Sequence, residues 1–157
     1  TSRKINESMH DEVVKNLIFE IERQKKELSK CKIVICGLAF KGHPETGDLR
    51  NSTSIEIALK IKKISNNIYG YDPVASKEEI NDYGIFPVSL DEVFINTDAV
   101  LFLNNHKSFE RLKMSKLIAK MNDNPIIYDG WNIFRKEDIL SLRKCSYLGL
   151  SFNSSLK

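Results

Sequence analysis

The sequence predicts an α/β fold in which a doubly wound parallel sheet follows one long α-helix. Three observations predict it: an apolar stripe at helical spacing near the N-terminus, then a near-continuous apolar run, then short apolar segments alternating with helical ones. The apolar run is typical of a strand buried on both faces of a parallel sheet. The alternation indicates βα units, whose crossovers are right-handed and whose ligands bind beyond the carboxyl ends of the strands.

The first predicted element is a helix from Ile5 to about Leu28. Its main apolar residues recur every four positions, at Ile5, Met9, Val13, Leu17 and Ile21. At ~1.5 Å per residue the helix would be roughly 35 Å long, which is more than a domain of this size needs. We therefore expect one face to pack on a partner domain or on a second copy of the chain. The alternative is that the helix lies across its own domain.

The segment CKIVICGLAF, whose apolar run ends at Gly37, predicts the first strand, and the polar loop KGHPETGDLRN follows it. The next helix has Ser52 or Thr53 as its expected N-cap. Later elements are predicted in this order: strand and turn NIYGYDP, a short helix from Ser76, helical SLDEVFINT, strand DAVLFLNN, helix SFERLKMSKLIAKM and strand NPIIYDG, followed by KEDILSLR before CSYLGL.

This Rossmann-like order has a consequence for the loops. The carboxyl ends of parallel strands meet at one edge of the sheet, so the loops after four strands should share one functional rim. Those loops follow Cys36, Tyr71, Leu103 and Tyr128.

The composition of the whole chain excludes several classes of protein. Its 157 residues suit one ordinary domain. The 24 lysines and arginines barely exceed the 21 aspartates and glutamates, and both signs are scattered, which argues against a nucleic-acid surface. Three cysteines without metal-type spacing predict reduced thiols and no metal site in a cytoplasmic protein.

Two features of the ends and hydropathy complete this picture. No apolar run approaches the length of a membrane span, so we expect a soluble protein with no membrane partner. The chain starts without methionine inside a helical pattern, which predicts that it was cut from something longer.

The loop after the first strand carries the most information about function. The run from Gly37 to Phe40 lacks the second and third glycines of a dinucleotide fingerprint, so simple cofactor binding is disfavoured. Instead, Phe40, Lys41, Asp48 and Arg50 place an aromatic ring and two cations where an anionic, base-bearing ligand would sit. The alternative is a solvated charged loop.

The segment GLAFKGHPETGDLRNS resembles the G-[LF]-[AS]-F-K-x(n)-D-x-R-x-S motif of the UDP-glucose/GDP-mannose dehydrogenase family. SRKINESMHDEVV is similar to the start of that family's central helix, and YDP and YDG match two of its strand ends. The resemblance implies that residues 1–30 form the central interdomain or dimer helix and that residues 31–157 form the C-terminal UDP-sugar-binding domain. The N-terminal NAD-binding domain would lie outside this chain.

The resemblance also implies an activity and residue roles. The family oxidises a sugar 6-hydroxyl to a carboxylate with two NAD molecules, through a catalytic cysteine in an upstream motif that no cysteine here matches, so this chain alone should be inactive. Carried over from the family, Phe40 and Lys41 contact the nucleotide sugar and Arg50 reaches the NAD. Asp48 would orient the loop or Arg50. The expected partners are a UDP-sugar, the N-terminal domain and a second copy of the chain in a homodimer.

The sequence departs from the family pattern at several positions. Trp131 stands where many members have a nucleotide-sugar-binding arginine, so that contact is lost or replaced by stacking. The segment NNHKSF, with His106, resembles members that act on UDP-N-acetylhexosamines more than the UDP-glucose enzymes, although a lone histidine there is interpreted as a capping or surface residue. Asp72 is interpreted as a turn opener, and His10 as a polar residue of a helix N-terminus.

A function of another class stays open at this point. The chain could be a non-catalytic nucleotide-binding or interaction module that keeps the same fold.

Overall fold

The computed structural model describes residues 2–39, 48–50, 52–140, 142 and 145–149, with side chains from residue 10 onward except those of residues 136 and 140. All the strands of its single sheet are parallel, in the order β3-β2-β1-β4-β5-β6. The strands are β1 Ile33–Cys36, β2 Ile68–Tyr71, β3 Phe86–Pro87, β4 Ala99–Phe102, β5 Ile126–Asp129 and β6 Ser146–Gly149. The strand order reverses between β1 and β4, which confirms the predicted doubly wound, Rossmann-like fold.

Helices connect these strands. They are α1 Ser2–Arg23, α2 Thr53–Lys62, α3 Lys77–Asp82, α4 Met114–Ile118 and α5 Lys136–Leu140. Two predicted helices are shorter than expected. SLDEVFINT forms only a 3₁₀ turn at Leu90–Glu92, and SFERLKMSKLIAKM is divided into a 3₁₀ turn at Lys107–Arg111 and α4. The division falls at Leu112, whose extended backbone lets its side chain pack against the core.

Both faces of the sheet are buried, as the apolar run in β1 predicted. Ile33 and Ile35 face the cluster that α1 and α2 cover, and Val34 and Cys36 face the opposite cluster. Cys36 and the other two cysteines, Cys31 and Cys145, are buried and form no disulfide, as expected for small core residues. Burial raises the pKa of Cys145 to about 12 and also raises the pKa of Cys36.

Helix α1 ends earlier than the periodicity predicted, because Lys25 adopts a left-handed backbone with φ of 58°. Its apolar residues Val13, Leu17 and Ile21 are buried in the domain's own core, beside residues of α2. The C-terminal half of α1 therefore lies across its own domain, which was the alternative interpretation of the sequence. Packing of the rest of α1 on a partner stays a prediction.

The interpretation of His10 as a residue of a helix N-terminus is wrong. It lies well inside α1, is 2% exposed, and places its Nδ1 3.0 Å from Glu56 Oε2 of α2. The error arose because the true start of α1 precedes the predicted one.

Hydrogen bonds hold the C-terminal end of α1 at the amino edge of the sheet, opposite the edge where ligands are expected. Glu20 is fully buried, and its Oε2 accepts hydrogen bonds from Ser146 Oγ at 2.6 Å and Gln24 Nε2 at 3.0 Å. Beyond the helix, Lys26 Nζ donates to the carbonyl oxygens of Asp123 at 2.8 Å and Asn124 at 3.1 Å. Among the described residues, no helix is long and apolar enough to cross a membrane.

Candidate functional site

The candidate site lies at the carboxyl edge of the sheet, where the loops after β1 and β4 touch. Gly37 has a φ of +90°, and a Cβ atom there would lie 2.5 Å from Asn104 Cγ in the loop after β4. The side-chain Nδ2 of Asn104 donates a hydrogen bond to the carbonyl oxygen of Ala39 at 3.4 Å. Glycine is required at position 37 by both the backbone angle and the available space. This contact joins the loops after β1 and β4 at the point where the strand order reverses.

Asp72, directly after β2, shapes the first loop. Its Oδ2 accepts the backbone N–H groups of Leu38 at 2.9 Å and Ala39 at 2.8 Å. Its Oδ1 accepts those of Val74 at 2.8 Å and Ala75 at 2.9 Å, which form the expected turn. The turn interpretation therefore accounts for half of this side chain's bonds. Sequence reasoning missed the other half, because the partners are 33 and 34 positions away.

The N-terminus of α2 points toward the same edge. Ser52, one of the two expected N-caps, accepts the Ile55 N–H, and its hydroxyl donates to the Leu38 carbonyl at 2.5 Å. In the first turn of the helix, the Ser54 hydroxyl donates to the carbonyl oxygen of Leu103 at 3.2 Å. The first N–H groups of a helix and its dipole favour an anion at this end.

Trp131 meets α2 at the same carbonyl group. Its indole Nε1–H donates to the oxygen of Leu103 at 3.0 Å, so the Trp131 ring and the Ser54 hydroxyl share one acceptor. The residue is nevertheless 54% exposed, and it is the only tryptophan of the chain. An anchored indole with an exposed surface can stack on a flat or apolar ring.

Asp129, the last residue of β5, holds the loop that carries Trp131. Its Oδ1 accepts the backbone N–H groups of Trp131 at 3.2 Å and Ile133 at 2.9 Å. Its Oδ2 accepts the N–H of Phe134 at 2.9 Å and the Tyr147 hydroxyl at 2.5 Å. Burial and this bond to the carboxylate raise the pKa of Tyr147. Neither Asp129 nor Tyr147 was selected as a site residue from the sequence. The signal that could have indicated Asp129 was the Tyr-Asp pair that ends β5.

Arg50 lies at the end of the first loop and is paired with Asp48. Its Nε and Nη2 atoms lie 3.1 and 3.2 Å from the two carboxylate oxygens, and its backbone N–H donates to Oδ1 at 2.9 Å. The hydrogen bonds from Arg50 lower the pKa of Asp48. The Arg50 side chain is 83% exposed. This geometry agrees with the interpretation that Asp48 orients Arg50, whereas Phe40 and Lys41 lie outside the described residues.

His106 caps the 3₁₀ turn that follows β4, which confirms its interpretation as a capping histidine. Its Nδ1 accepts the backbone N–H of Ser108 at 3.1 Å, and its ring packs edge-on to Phe109 with the centroids 6.1 Å apart. In the part of the chain that the structure describes, no group of three or more His, Cys, Asp or Glu side chains could hold a metal ion.

Comparisons with known proteins match most of this chain to one family. Residues 34–136 match the model of the UDP-glucose/GDP-mannose dehydrogenase family, UDP binding domain. A UDP-N-acetyl-D-mannosamine dehydrogenase of Pyrococcus horikoshii is 30% identical over 88% of this chain and 30% of its own length. A UDP-glucose 6-dehydrogenase of Bacillus subtilis is 28% identical over 69% of this chain and 25% of its own length.

A solved structure is similar over nearly the whole chain. The NDP-N-acetyl-D-galactosaminuronic acid dehydrogenase of Methanosarcina mazei superposes with a TM-score of 0.81 at 25% identity, over 98% of this chain and 31% of the other. The chain thus spans about 30% of the length of its relatives.

Proposed function

The chain belongs to the UDP-glucose/GDP-mannose dehydrogenase family, and we propose that it is the C-terminal nucleotide-sugar-binding domain of an NAD-dependent UDP-sugar 6-dehydrogenase. The complete enzyme oxidises the sugar 6-hydroxyl to a carboxylate and reduces two NAD molecules. In this proposal residues 1–30 form the central helix and residues 31–157 the UDP-sugar-binding domain. The UDP-sugar is of the N-acetylhexosamine or the glucose type.

One observation carries the proposal beyond family membership: the N-terminus of α2 and the indole of Trp131 converge on the carbonyl oxygen of Leu103. A helix N-terminus favours phosphate groups, and an exposed indole favours a flat or apolar ring. A nucleotide sugar carries both kinds of group a few ångströms apart. The arrangement therefore suits a ligand of this class at the carboxyl edge.

The residue roles follow from this position. Lys41 and Phe40 contact the nucleotide sugar from the first loop, and Trp131 contacts it from the loop after β5. Arg50 reaches the NAD, which the N-terminal domain mainly binds. The exposure of the Arg50 side chain and its pairing with Asp48 support this role, because a pre-oriented guanidinium loses less freedom on binding.

This chain does not supply the catalytic nucleophile in the proposed enzyme. All three cysteines are buried, and burial raises the pKa of each thiol, which disfavours the reactive thiolate. The covalent step therefore belongs to a cysteine of the N-terminal domain, and the chain alone is inactive. Buried free thiols also suit a reducing compartment, the cytoplasm.

Helix α1 is proposed as the spine between the two domains and between the two copies of a homodimer. Phe19, on the surface of α1, is 51% exposed although it is a large apolar residue. Covering such a side chain at an interface removes apolar surface from water.

Calorimetric titration tests the nucleotide-sugar assignment. We expect uridine nucleotides to bind more tightly than GDP-mannose, and Lys41→Ala and Trp131→Ala to weaken that binding. Lys30→Ala is the control, because Lys30 is an exposed lysine near the amino edge. Comparison of UDP-glucose with UDP-N-acetylglucosamine ranks the sugars.

The assignment is wrong if no uridine nucleotide binds to the protein that includes its N-terminal domain. It is also wrong if Lys41→Ala changes binding no more than Lys30→Ala. Binding of UDP by a protein whose preceding sequence encodes no cofactor domain would instead indicate the non-catalytic module.

A further inference from the structure

We propose that Asp129 and Tyr147 are positioning residues for nucleotide-sugar binding, because together they fix the loop that presents Trp131. The inference rests on the proposed role of Trp131 at the nucleotide-sugar site. Neither residue would touch the ligand; each acts through the tryptophan.

The loop after β5 turns around the Asp129 carboxylate. Gly130 N–H donates to the Phe102 carbonyl of β4 at 3.0 Å, which starts the loop, and Asn132 adopts a left-handed backbone with φ of 55°. Asp129 then accepts the N–H groups of Trp131, Ile133 and Phe134. A carboxylate that accepts several convergent backbone N–H groups holds their relative positions.

The side chain of Trp131 is anchored separately from its backbone. The backbone is held by Asp129, and the indole is held by the Leu103 carbonyl at the end of β4. Two anchors on neighbouring strands leave the ring little freedom, although more than half of the residue is exposed. A ring that is already ordered loses less entropy when a ligand stacks on it.

Tyr147 orients the Asp129 carboxylate from the neighbouring strand β6. It lies on β6, opposite Ile127 of β5, and is fully buried. Its hydroxyl is 2.5 Å from Asp129 Oδ2 and 3.0 Å from the Phe134 carbonyl oxygen. A hydroxyl has one hydrogen, and the shorter contact with a charged acceptor takes it. Tyr147 therefore sets the plane of the carboxylate to which Trp131 is bonded.

The single tryptophan makes the proposal testable without a ligand, since all indole emission comes from Trp131. The test variant is Tyr147→Phe, which removes the hydroxyl under Asp129. The matched control is Tyr128→Phe, which removes another hydroxyl from a fully buried tyrosine, on the opposite face of the sheet. Both variants lose a buried hydroxyl, so a difference between them is not explained by that loss alone.

We expect Tyr147→Phe to shift the Trp131 emission to longer wavelength and to increase its quenching by acrylamide, whereas Tyr128→Phe leaves both unchanged. We expect UDP affinity to fall about three- to tenfold in Tyr147→Phe, the effect of losing about one hydrogen bond. Asp129→Asn should change emission in the same direction, because the amide replaces one of the two acceptor oxygens that hold the loop.

Equal emission and quenching in the two tyrosine variants would overturn the proposal, whatever happens to ligand binding. Altered emission with unchanged UDP affinity would also overturn it, since the ring would then be positioned without consequence for binding. If the protein that includes its N-terminal domain binds no UDP, the proposed function fails, and the emission of this chain still decides whether Asp129 and Tyr147 position Trp131.

Discussion

The loops after β2 and β5 each begin with a buried aspartate, and the two carboxylates work differently. Asp72 and Asp129 each follow a tyrosine, and each accepts four hydrogen bonds. All four partners of Asp72 are backbone N–H groups, drawn equally from the loops after β1 and β2. Asp129 takes three N–H groups from its own loop and one hydroxyl from β6. The same dipeptide therefore ties two loops together in one region and shapes a single loop in the other.

The difference in partners predicts a difference in tolerance. A backbone N–H can only donate, whereas a tyrosine hydroxyl can donate or accept. An asparagine amide replaces one carboxylate oxygen with a donor. At position 72, each of the two orientations of an asparagine amide would point its NH₂ group at two backbone N–H groups. At position 129, the NH₂ group can instead point at the Tyr147 hydroxyl oxygen.

Asp72→Asn should therefore have the largest effect on stability. We expect the free energy of unfolding to fall by about 4 kcal/mol, since two buried N–H groups lose a charged acceptor. Asp129→Asn should cost about 2 kcal/mol, because only the Phe134 N–H loses its acceptor and the Tyr147 hydroxyl can turn to the Phe134 carbonyl. Urea unfolding of both variants measures this. Equal losses would show that the hydroxyl partner makes no difference.

Two glycines extend the comparison from side chains to backbone. Gly37→Ala should lower the free energy of unfolding by about 3 kcal/mol, because φ is +90° and the new Cβ would lie 2.5 Å from Asn104 Cγ. Gly130→Ala in the loop after β5 should cost about 1 kcal/mol, because its φ is not in the left-handed region and the tight contact of 3.1 Å with the Phe102 carbonyl oxygen needs only a small shift. Thermal or urea unfolding compares them. If Gly130→Ala lowered the free energy of unfolding more than Gly37→Ala, the contact between the loops after β1 and β4 would not be the tighter of the two.

Alkaline pH should weaken the contribution of the Tyr147 hydroxyl beside Asp129. The folded-state pKa of Tyr147 is raised above the ordinary value of about 10, so its contribution is complete below pH 10 and is lost as pH rises further. The stability difference between wild type and Tyr147→Phe should shrink by about 1 kcal/mol per pH unit above pH 10. The four hydrogen-bond partners of Asp72 are backbone N–H groups, so the deficit of Asp72→Asn should change less between pH 8 and 11 than that of Tyr147→Phe. Urea unfolding across that range checks both statements, and parallel changes in the two variants would contradict them.

The smallest effect on stability is expected at Arg50. Its side chain is exposed and is paired with an exposed Asp48, and such surface pairs contribute little to folding. Arg50→Gln should leave the urea midpoint unchanged and raise the KM for NAD in the enzyme that includes the N-terminal domain. An altered midpoint with an unchanged KM would assign Arg50 to folding and not to the cofactor.

Sequence periodicity determined the fold class, because strand burial and helix amphipathicity are local patterns. The apolar run of β1, the βα alternation and the Ser52 cap could all be predicted from residues near one another in the chain. The charged residues and the aromatic residue of the first loop could likewise be identified from one continuous stretch of sequence. The family resemblance rested mainly on that same stretch.

Only the tertiary structure decided which groups meet at the carboxyl edge. Asp72 reaches Leu38 across 34 positions, and the indole of Trp131 and the hydroxyl of Ser54 share one carbonyl oxygen. The bond between Tyr147 and Asp129 depends on the pairing of β5 with β6. Local propensity sets where a strand begins and ends, but hydrogen bonds between distant loops depend on strand order and register. Those are fixed only when the whole sheet has packed.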